Sequence, residues 1–333
     1  MSDHVEVAAL RARLIEVEKE LLTTKAQLGS KEGSYSKENA TSLGNEDEEH
    51  IKGSDAEDRS APSSIDHGKD DAEPINNSLD TSIHNLMLLS DSALPLGSFA
   101  YSSGLESFLA HHKASGAKET NLSLFHKFLK LSIQSVAYTN IPYALAAFRN
   151  PTLLAELDND LDASTPCTVA RRASIAQGRA LLSVWEKAFS GTAKQRHKEH
   201  DIGEVATATL DLFSRDLKIS SLSSPPSGIP VLNGHLAPLW GVVCLCLGLS
   251  LADSAYLFLL NHSKAVVSAA VRASVMGPYM AQTVLASKDL QDLIRGCLKK
   301  VWWLETEEAG QVVPMLDLWV GRHELLYSRI FNS

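Results

Sequence analysis

The sequence predicts an all-α protein: a single helical-bundle domain preceded by a short coiled-coil-like helix and a disordered acidic linker. Three observations support this. Apolar residues after position 80 recur at helical spacing, and no run alternates as a strand would. Residues 1–28 carry a heptad pattern, and the segment after them is polar and acidic. We therefore divide the chain into residues 1–28, 29–80 and 81–333.

The first segment has apolar residues spaced alternately by three and four positions. They are Val7, Leu10, Leu14, Val17, Leu21, Thr24 and Leu28. Three heptads are marginal for an isolated helix, so this segment either pairs with another helix or stays solvated. Residues 29–78 contain few large apolar side chains and are expected to be disordered, because they cannot bury enough surface to offset the entropy lost on ordering.

Charge and composition exclude several classes of protein. The chain of 333 residues has a net charge of −9, and residues 1–80 hold 19 Asp or Glu against 9 Lys or Arg. The remainder is nearly neutral, which argues against nucleic-acid binding. No secretion signal follows Met1, and the four cysteines have no zinc-like spacing, so we expect a cytoplasmic protein with reduced thiols. The uncharged stretch 236–252 is too short for a membrane span and predicts a buried core helix.

The stretch from Leu86 to Phe108 predicts a helix, an apolar loop and a second helix. Asp80 or Thr81 caps the first helix, and Pro95 prevents its continuation. The second is expected to begin at Ser103, which forms a capping box with Glu106, so Glu106 is interpreted as a cap rather than a catalytic acid. The loop carries Leu96, Phe99 and Tyr101. These side chains must be covered either by the protein's own core or by a partner.

Further helices are predicted in the body, with a long loop between two of them. The helices are expected at 122–131, 141–148, 167–189, 236–252, 264–285 and from Pro314 onward, and the loop at 215–233. Arg172 and Arg179 lie seven residues apart on one helix face, where they are either solvated, paired internally or bound to carboxylates of a partner. Arg272 lies among apolar residues and is expected to form an internal ion pair.

The last residues are unusually apolar for a chain end. A helix here would place His323 beside Tyr327 and Arg322 beside Arg329. His323 and Glu324 imitate the start of a zinc-protease motif, but Tyr327 occupies the second ligand position, so no zinc site is predicted. The histidines His111, His112, His197 and His200 raise the question of a metal site, and solvated side chains are the preferred interpretation. We find no phosphate-binding loop and no catalytic motif.

The sequence resembles the UreF family of urease accessory proteins. The resemblance rests on a signature formed by Asp91, Ala93-Leu94-Pro95, Gly97, Phe99, Tyr101-Ser102 and Gly104-Leu105-Glu106. The last residues of the chain also match the family's ending, and weaker likeness lies between, at Arg172-Ala-Ser174 and Gly178-Arg179. The resemblance covers about residues 83–333. The chain resembles the eukaryotic members of the family, which carry an N-terminal extension. The sequence departs from the family at Ser98, where a second glycine is usual.

The resemblance implies an all-helical, non-enzymatic adaptor that forms a homodimer within a larger complex. With UreD, also called UreH, it would recruit the GTPase UreG to apo-urease and couple GTP hydrolysis to nickel insertion. No cofactor or metal of its own is implied. The residues that the resemblance assigns to partner or dimer interfaces are Asp91, Pro95, Gly97, Phe99, Tyr101, Ser102, Gly104, Glu106, Arg172, Arg179, Arg322, His323, Glu324, Tyr327, Arg329 and Phe331.

Two other functions remain open from the sequence. One is a generic helical scaffold that binds partners through its N-terminal coiled coil. The other is an enzyme that uses His235 or His323 as a base.

Overall fold

The computed structural model describes residues 81–114, 119–196, 202–221 and 231–332. The predicted N-terminal helix, the acidic linker, His197 and His200 lie outside these residues. Within them every regular element is a helix, as predicted. The α-helices are α1 (Thr81–Ser90), α2 (Leu105–Ala114), α3 (Asn121–Thr139), α4 (Ile141–Arg149), α5 (Leu154–Ser164), α6 (Thr168–Val184), α7 (Ser190–Arg196), α8 (Ile202–Ser220), α9 (Leu236–Cys246), α10 (Leu251–Arg272), α11 (Pro278–Ala286), α12 (Lys288–Val301) and α13 (Pro314–Arg322).

Helix α9 lies at the centre of the fold. It has no charged residue, and nearly all of its side chains are buried against α4, α5, α6, α8 and α10. The carboxylate of Asp158 on α5 accepts hydrogen bonds from the backbone N–H groups of Asn233, Gly234 and His235, at 2.6 to 2.9 Å for the shortest bond to each. A buried carboxylate at the start of α9 therefore satisfies donors and is favoured by the helix dipole. Sequence periodicity gave no signal for this contact.

Two glycines permit the closest helix approaches around α9. A Cβ at Gly241 would lie 2.2 Å from the carbonyl oxygen of Ala144 on α4. A Cβ at Gly178 on α6 would lie 2.2 Å from the carbonyl oxygen of Gly234. Neither position has room for a larger residue, because the obstructing atoms belong to the backbone.

Helices α8, α9 and α10 differ in extent from the sequence expectation. Helix α8 continues to Ser220, into the predicted loop, because Phe213 and Leu217 keep the amphipathic period and are buried. The predicted helices at 236–252 and 264–285 are both wrong in extent. The first ends at Cys246 before Gly248, which has a φ of 75°, and the second is divided at 273–277, where Ser274 has a φ of 58°. Left-handed residues end helices in this way.

Helix α1 is confirmed, but its buried residues are Asn85 and Leu89, whereas Ile83 and Met87 are exposed. The Asn85 side chain donates to the carbonyl oxygen of Leu247, and Asn261 on α10 donates to that of Leu89. The orientation of this helix is thus set by long-range hydrogen bonds and not by its apolar pattern.

We expect Gly241→Ala to destabilise the protein by about 1–3 kcal/mol, because the new methyl group meets the α4 backbone. The measurement is the free energy of unfolding by urea denaturation. The matched control is Gly296→Ala on α12, where no atom beyond the neighbouring residues and the helix's own backbone lies within 4 Å of the new Cβ. That change should stabilise by up to about 1 kcal/mol through helix propensity. Equal effects of the two substitutions would contradict the packing at Gly241.

Candidate functional site

The loop at residues 91–104, which carries the signature motif, packs over the protein's own core. Leu96 is buried, and Phe99 and Tyr101 are partly buried. Gly97 has a φ of 70° and begins a short 3-10 turn at Ser98–Ala100. The Ser98 hydroxyl donates to Oε1 of Gln177 on α6 at 2.8 Å. The serine that departs from the family pattern thus ties the loop to the bundle.

The predicted capping box at the start of α2 is wrong. The helix begins at Leu105, and Ser103 has a left-handed φ of 54°. The backbone N–H of Glu106 lies 3.4 Å from the hydroxyl of Ser102, so Ser102 takes the position expected of Ser103. Gly104, with a φ of 88°, lies so close to Val320 on α13 that a Cβ would be 2.9 Å from that side chain. The tight turn therefore brings the loop and α13 into contact.

The Glu106 side chain binds the end of the chain instead of capping its own helix. Its carboxylate accepts from Nε2 of His323 at 2.9 Å, from the N–H of Ile330 at 2.8 Å and from the N–H of Phe331 at 3.3 Å. A carboxylate has acceptor sites for all three donors. His323 is fully buried, and its Nδ1 has no hydrogen-bond partner. We call these four residues the Glu106 junction.

Arg272 makes a second connection between the loop and the chain end. Its guanidinium donates to the carbonyl oxygen of Phe99 and lies 4.3 Å from the centroid of the Phe331 ring. Among the described residues it forms no ion pair, so the predicted internal pair is wrong. Burial lowers the pKa of Arg272 below its usual value. A backbone acceptor and an aromatic face replace the expected carboxylate.

The tail, residues 326–332, is not the continuous helix that the sequence predicted. Helix α13 ends at Arg322, a 3-10 turn spans His323–Leu325, and the tail has no regular structure. Its N–H groups bond across the fold, with Asn332 donating to the carbonyl oxygen of Ala100 at 2.8 Å. Tyr327 is fully exposed and does not lie beside His323 as predicted. Phe331 is buried, whereas Leu325 and Ile330 are exposed.

The remaining residues assigned to interfaces lie in three places. Arg172 pairs with Glu324, which places it next to α13, and Arg322 and Arg329 are exposed there. Arg179 lies elsewhere, with its Nε donating to the carbonyl oxygen of Asn233 at 2.8 Å. Asp91, Pro95 and Gly97 are exposed on the loop. The structure thus gathers the signature loop, Glu106 and the chain end into one region, while their roles in an interface stay a prediction.

Comparison with known proteins identifies the family. The family model named UreF matches residues 120–288, about half of the chain. An "Uncharacterized urease accessory protein UreF-like" from Schizosaccharomyces pombe is 37% identical over 253 residues, which is 76% of this chain and 98% of that protein. The chain belongs to the UreF family. "Urease accessory protein F" of Arabidopsis thaliana is 28% identical over 74% of this chain and 90% of its own length. "Urease accessory protein UreF" of Paenarthrobacter aurescens is 27% identical over 74% and 96% respectively.

Two histidines considered as catalytic bases in this UreF-family chain are fully buried. His235 lies 3.0 Å from the Ser174 hydroxyl and 3.1 Å from a carboxylate oxygen of Asp162, and His323 lies in the Glu106 junction. Both rings are held by partners inside the protein, which does not favour either as a base acting on a substrate.

The described part of the chain contains no candidate metal centre and no candidate membrane span. Among the described residues, no three His, Cys, Asp or Glu side chains come together as metal ligands would. None of the described helices is both long and apolar enough to cross a bilayer. The four cysteines all lie in described positions, and none forms a disulfide.

A cavity of about 220 Å³ lies beneath the signature loop and α13 of this UreF-family chain. Its lining includes Gln177, His262, Gln311 and Asp317, none of which the sequence analysis selected, and it contains no Lys or Arg. Burial raises the pKa of Asp317 and lowers that of His262 from 6.5 to about 4. The Ser132 hydroxyl lies 2.7 Å from Nε2 of His262. Sequence spacing does not predict this cavity, because Gln177, His262 and the segment that carries Gln311 and Asp317 lie far apart in the chain.

The pKa of His262 predicts a pH-dependent stability. Between about pH 6.5 and pH 4 the unfolded chain takes up a proton at this ring while the folded chain does not, so acid favours unfolding. His262 should contribute a loss approaching about 1.4 kcal/mol per pH unit within that window. Urea denaturation at several pH values between 7 and 4.5 measures it. The free energy of unfolding of the His262→Gln variant should fall less steeply as the pH is lowered. Identical slopes for the variant and the unmodified chain would contradict the assignment of this pH dependence to His262.

The Glu106 junction predicts that Glu106→Gln frees the tail. A glutamine side chain accepts through only one of its two polar atoms, so at least one tail donor loses its partner, at a cost of about 1–3 kcal/mol. Hydrogen exchange at Ile330 and Phe331, read by mass spectrometry, should become faster. Glu324→Gln is the control, because Glu324 lies nearby in an exposed pair with Arg172. Unchanged exchange in Glu106→Gln would show that the tail is held by other contacts.

Proposed function

We propose that this chain is a non-enzymatic urease accessory adaptor that acts in the cytoplasm. With UreD it recruits the GTPase UreG to apo-urease, so that GTP hydrolysis is coupled to nickel insertion. The named relatives are urease accessory proteins, which supports a role in urease maturation. The single observation that carries the adaptor role is the contact of the tail with both Glu106 and the signature loop, where Asn332 donates to the carbonyl oxygen of Ala100. Two segments that resemble the family signature thereby form one surface.

The composition of this surface is suited to binding protein. The 3-10 turn presents Leu325 to solvent, and the tail presents Tyr327 and Ile330; Arg322 and Arg329 are exposed in the same stretch of the chain. Tyr and Arg are enriched among the residues that dominate binding energy in protein interfaces. Because Phe331 and the junction bonds already fix the tail, a partner would lose less free energy to ordering this segment on binding. We propose UreD as the partner at this surface.

An adaptor needs no catalytic residue to couple GTP hydrolysis to nickel insertion. It needs different affinities for the nucleotide-bound and the product-bound GTPase, because differential binding shifts the equilibrium between conformations. In this proposal GTP is bound by UreG, nickel is cargo of the complex, and this chain holds neither. It acts as a homodimer, so that each complex contains two tail surfaces.

We expect Tyr327→Ala to weaken UreD binding at least about 30-fold, the loss typical of an interface hot spot. Tyr279→Ala is the matched control, because Tyr279 is 90% exposed on α11. Co-expression of the chain with UreD and UreG, followed by affinity purification and titration, gives the measurement.

Removal of residues 321–333 should abolish UreD capture. Equal binding by Tyr327→Ala and the unmodified chain would exclude the tail surface, and failure of the unmodified chain to capture either partner would refute the adaptor function.

A further inference from the structure

The cavity beneath the signature loop and α13 carries a single formal charge. Of the described residues that line it, Asp317 is the only acidic one, and none is Lys or Arg. His262 is the only histidine among them, and it is neutral near pH 7 because burial lowers its pKa to about 4. The lining of this cavity is therefore net negative.

The Asp317 carboxylate has no cationic partner within the described part of the chain. The Gln311 amide donates to its Oδ1 at 3.1 Å, and no described Lys, Arg or His forms an ion pair with it. Arg171 donates to the carbonyl oxygen of Thr165 in the cavity wall, but Asp162 lies 3.5 Å from that guanidinium and balances its charge. Burial raises the pKa of Asp317, so the ionised carboxylate has a cost that no described cation offsets.

The rest of the lining provides an apolar wall and neutral polar groups. Trp240 and Phe258 both line the cavity, with their ring centroids 5.8 Å apart in an edge-to-face arrangement. Aromatic rings attract cations through their quadrupole. We propose that this cavity binds a small organic cation, whose ammonium group pairs with Asp317 and whose short apolar body packs against Trp240 and Phe258.

The donor set favours an organic cation over a divalent metal ion. Divalent metal sites in proteins are built from several carboxylate, imidazole or thiolate ligands. No three such side chains come together among the described residues, and the His262 ring is already 2.7 Å from the Ser132 hydroxyl. An ammonium group needs only one carboxylate and neutral acceptors.

The size of the cavity limits the ligand to a small molecule. Its volume of about 220 Å³ is below the roughly 300–1,000 Å³ of pockets that hold drug-sized ligands. An amine with a short alkyl or single-ring body meets this limit. The site belongs to this chain alone, so the inference does not depend on the adaptor function.

The test titrates the full chain with phenethylammonium and with 2-phenylethanol, its uncharged analogue, by calorimetry at low ionic strength. Butylammonium and butanol form a second, smaller pair of probes. We expect each ammonium probe to bind at least about tenfold more tightly than its alcohol, because a hydrogen bond to a charged group is stronger than a neutral one. Raising the salt concentration should reduce that difference.

Asp317→Asn should lower the affinity for the ammonium probes at least about tenfold and leave the affinity for the alcohols unchanged. Asparagine keeps an acceptor for Gln311 but carries no charge. The melting temperature should not fall, because burial already disfavours the ionised carboxylate. Asp160→Asn is the matched control, since Asp160 is exposed on α5 and does not line the cavity.

A second variant tests the cavity itself. Ala170 on α6 is partly buried and lines the cavity, so Ala170→Leu narrows the space and leaves Asp317 in place. Both members of each probe pair should then bind more weakly, while an unchanged melting temperature shows that the fold is kept.

Two results would overturn the inference. One is an unmodified chain that binds neither ammonium probe more tightly than its alcohol, since the cavity would then make no use of its charge. The other is binding that depends on Asp317 with nickel chloride but not with either ammonium probe, since the occupant would then be a metal ion.

Discussion

The burial of α9 is the constraint on which the rest of the structure depends. An uncharged helix with apolar residues on all sides must be surrounded, and five helices do so. Close approach requires glycine at the contacts, as at Gly241 against Ala144 and at Gly178 against Gly234. The buried segment that leads into α9 also requires an acceptor, because backbone N–H groups are rarely left unpaired in a protein interior. Asp158 supplies that acceptor, and its position on α5 thereby fixes α5 against α9.

A second carboxylate, Glu106, organises the outer part of the molecule. Hydrogen bonds to a charged group are stronger than those between neutral groups. Three of them join the start of α2 to His323, Ile330 and Phe331, more than 200 positions later in the chain. Because the buried side of the tail is satisfied by Glu106 and Arg272, its apolar residues on the other side are left to face solvent. The same contacts that complete the fold thus produce the surface that we propose for partner binding.

Local patterns predicted the elements that are governed by local physics. Helical periodicity identified α3, α4, α6 and the burial of α9, and the positive φ at Gly97 follows from the turn before the 3-10 segment. Errors arose where a side chain had a distant alternative. Glu106 was expected to cap its own helix, but its side chain binds His323 and the tail. Arg272 was expected to pair with a carboxylate, but it contacts the loop at Phe99 and the tail at Phe331. No spacing rule reports a partner so far away in the sequence.

The sequence by itself determined the all-α class, the family likeness and the apolar character of the chain end, because these depend on residue types and short spacings. Only the tertiary structure decided which apolar residues stay exposed. Whether Phe331 is buried and Tyr327 is not depends on the three bonds that Glu106 accepts and on the position of Arg272. It likewise decided that Met315 and Leu318 lie on the outer side of α13, because Gly104 and Phe108 occupy the inner side. Burial is a property of the assembled fold, since a side chain is covered only where other elements pack against it.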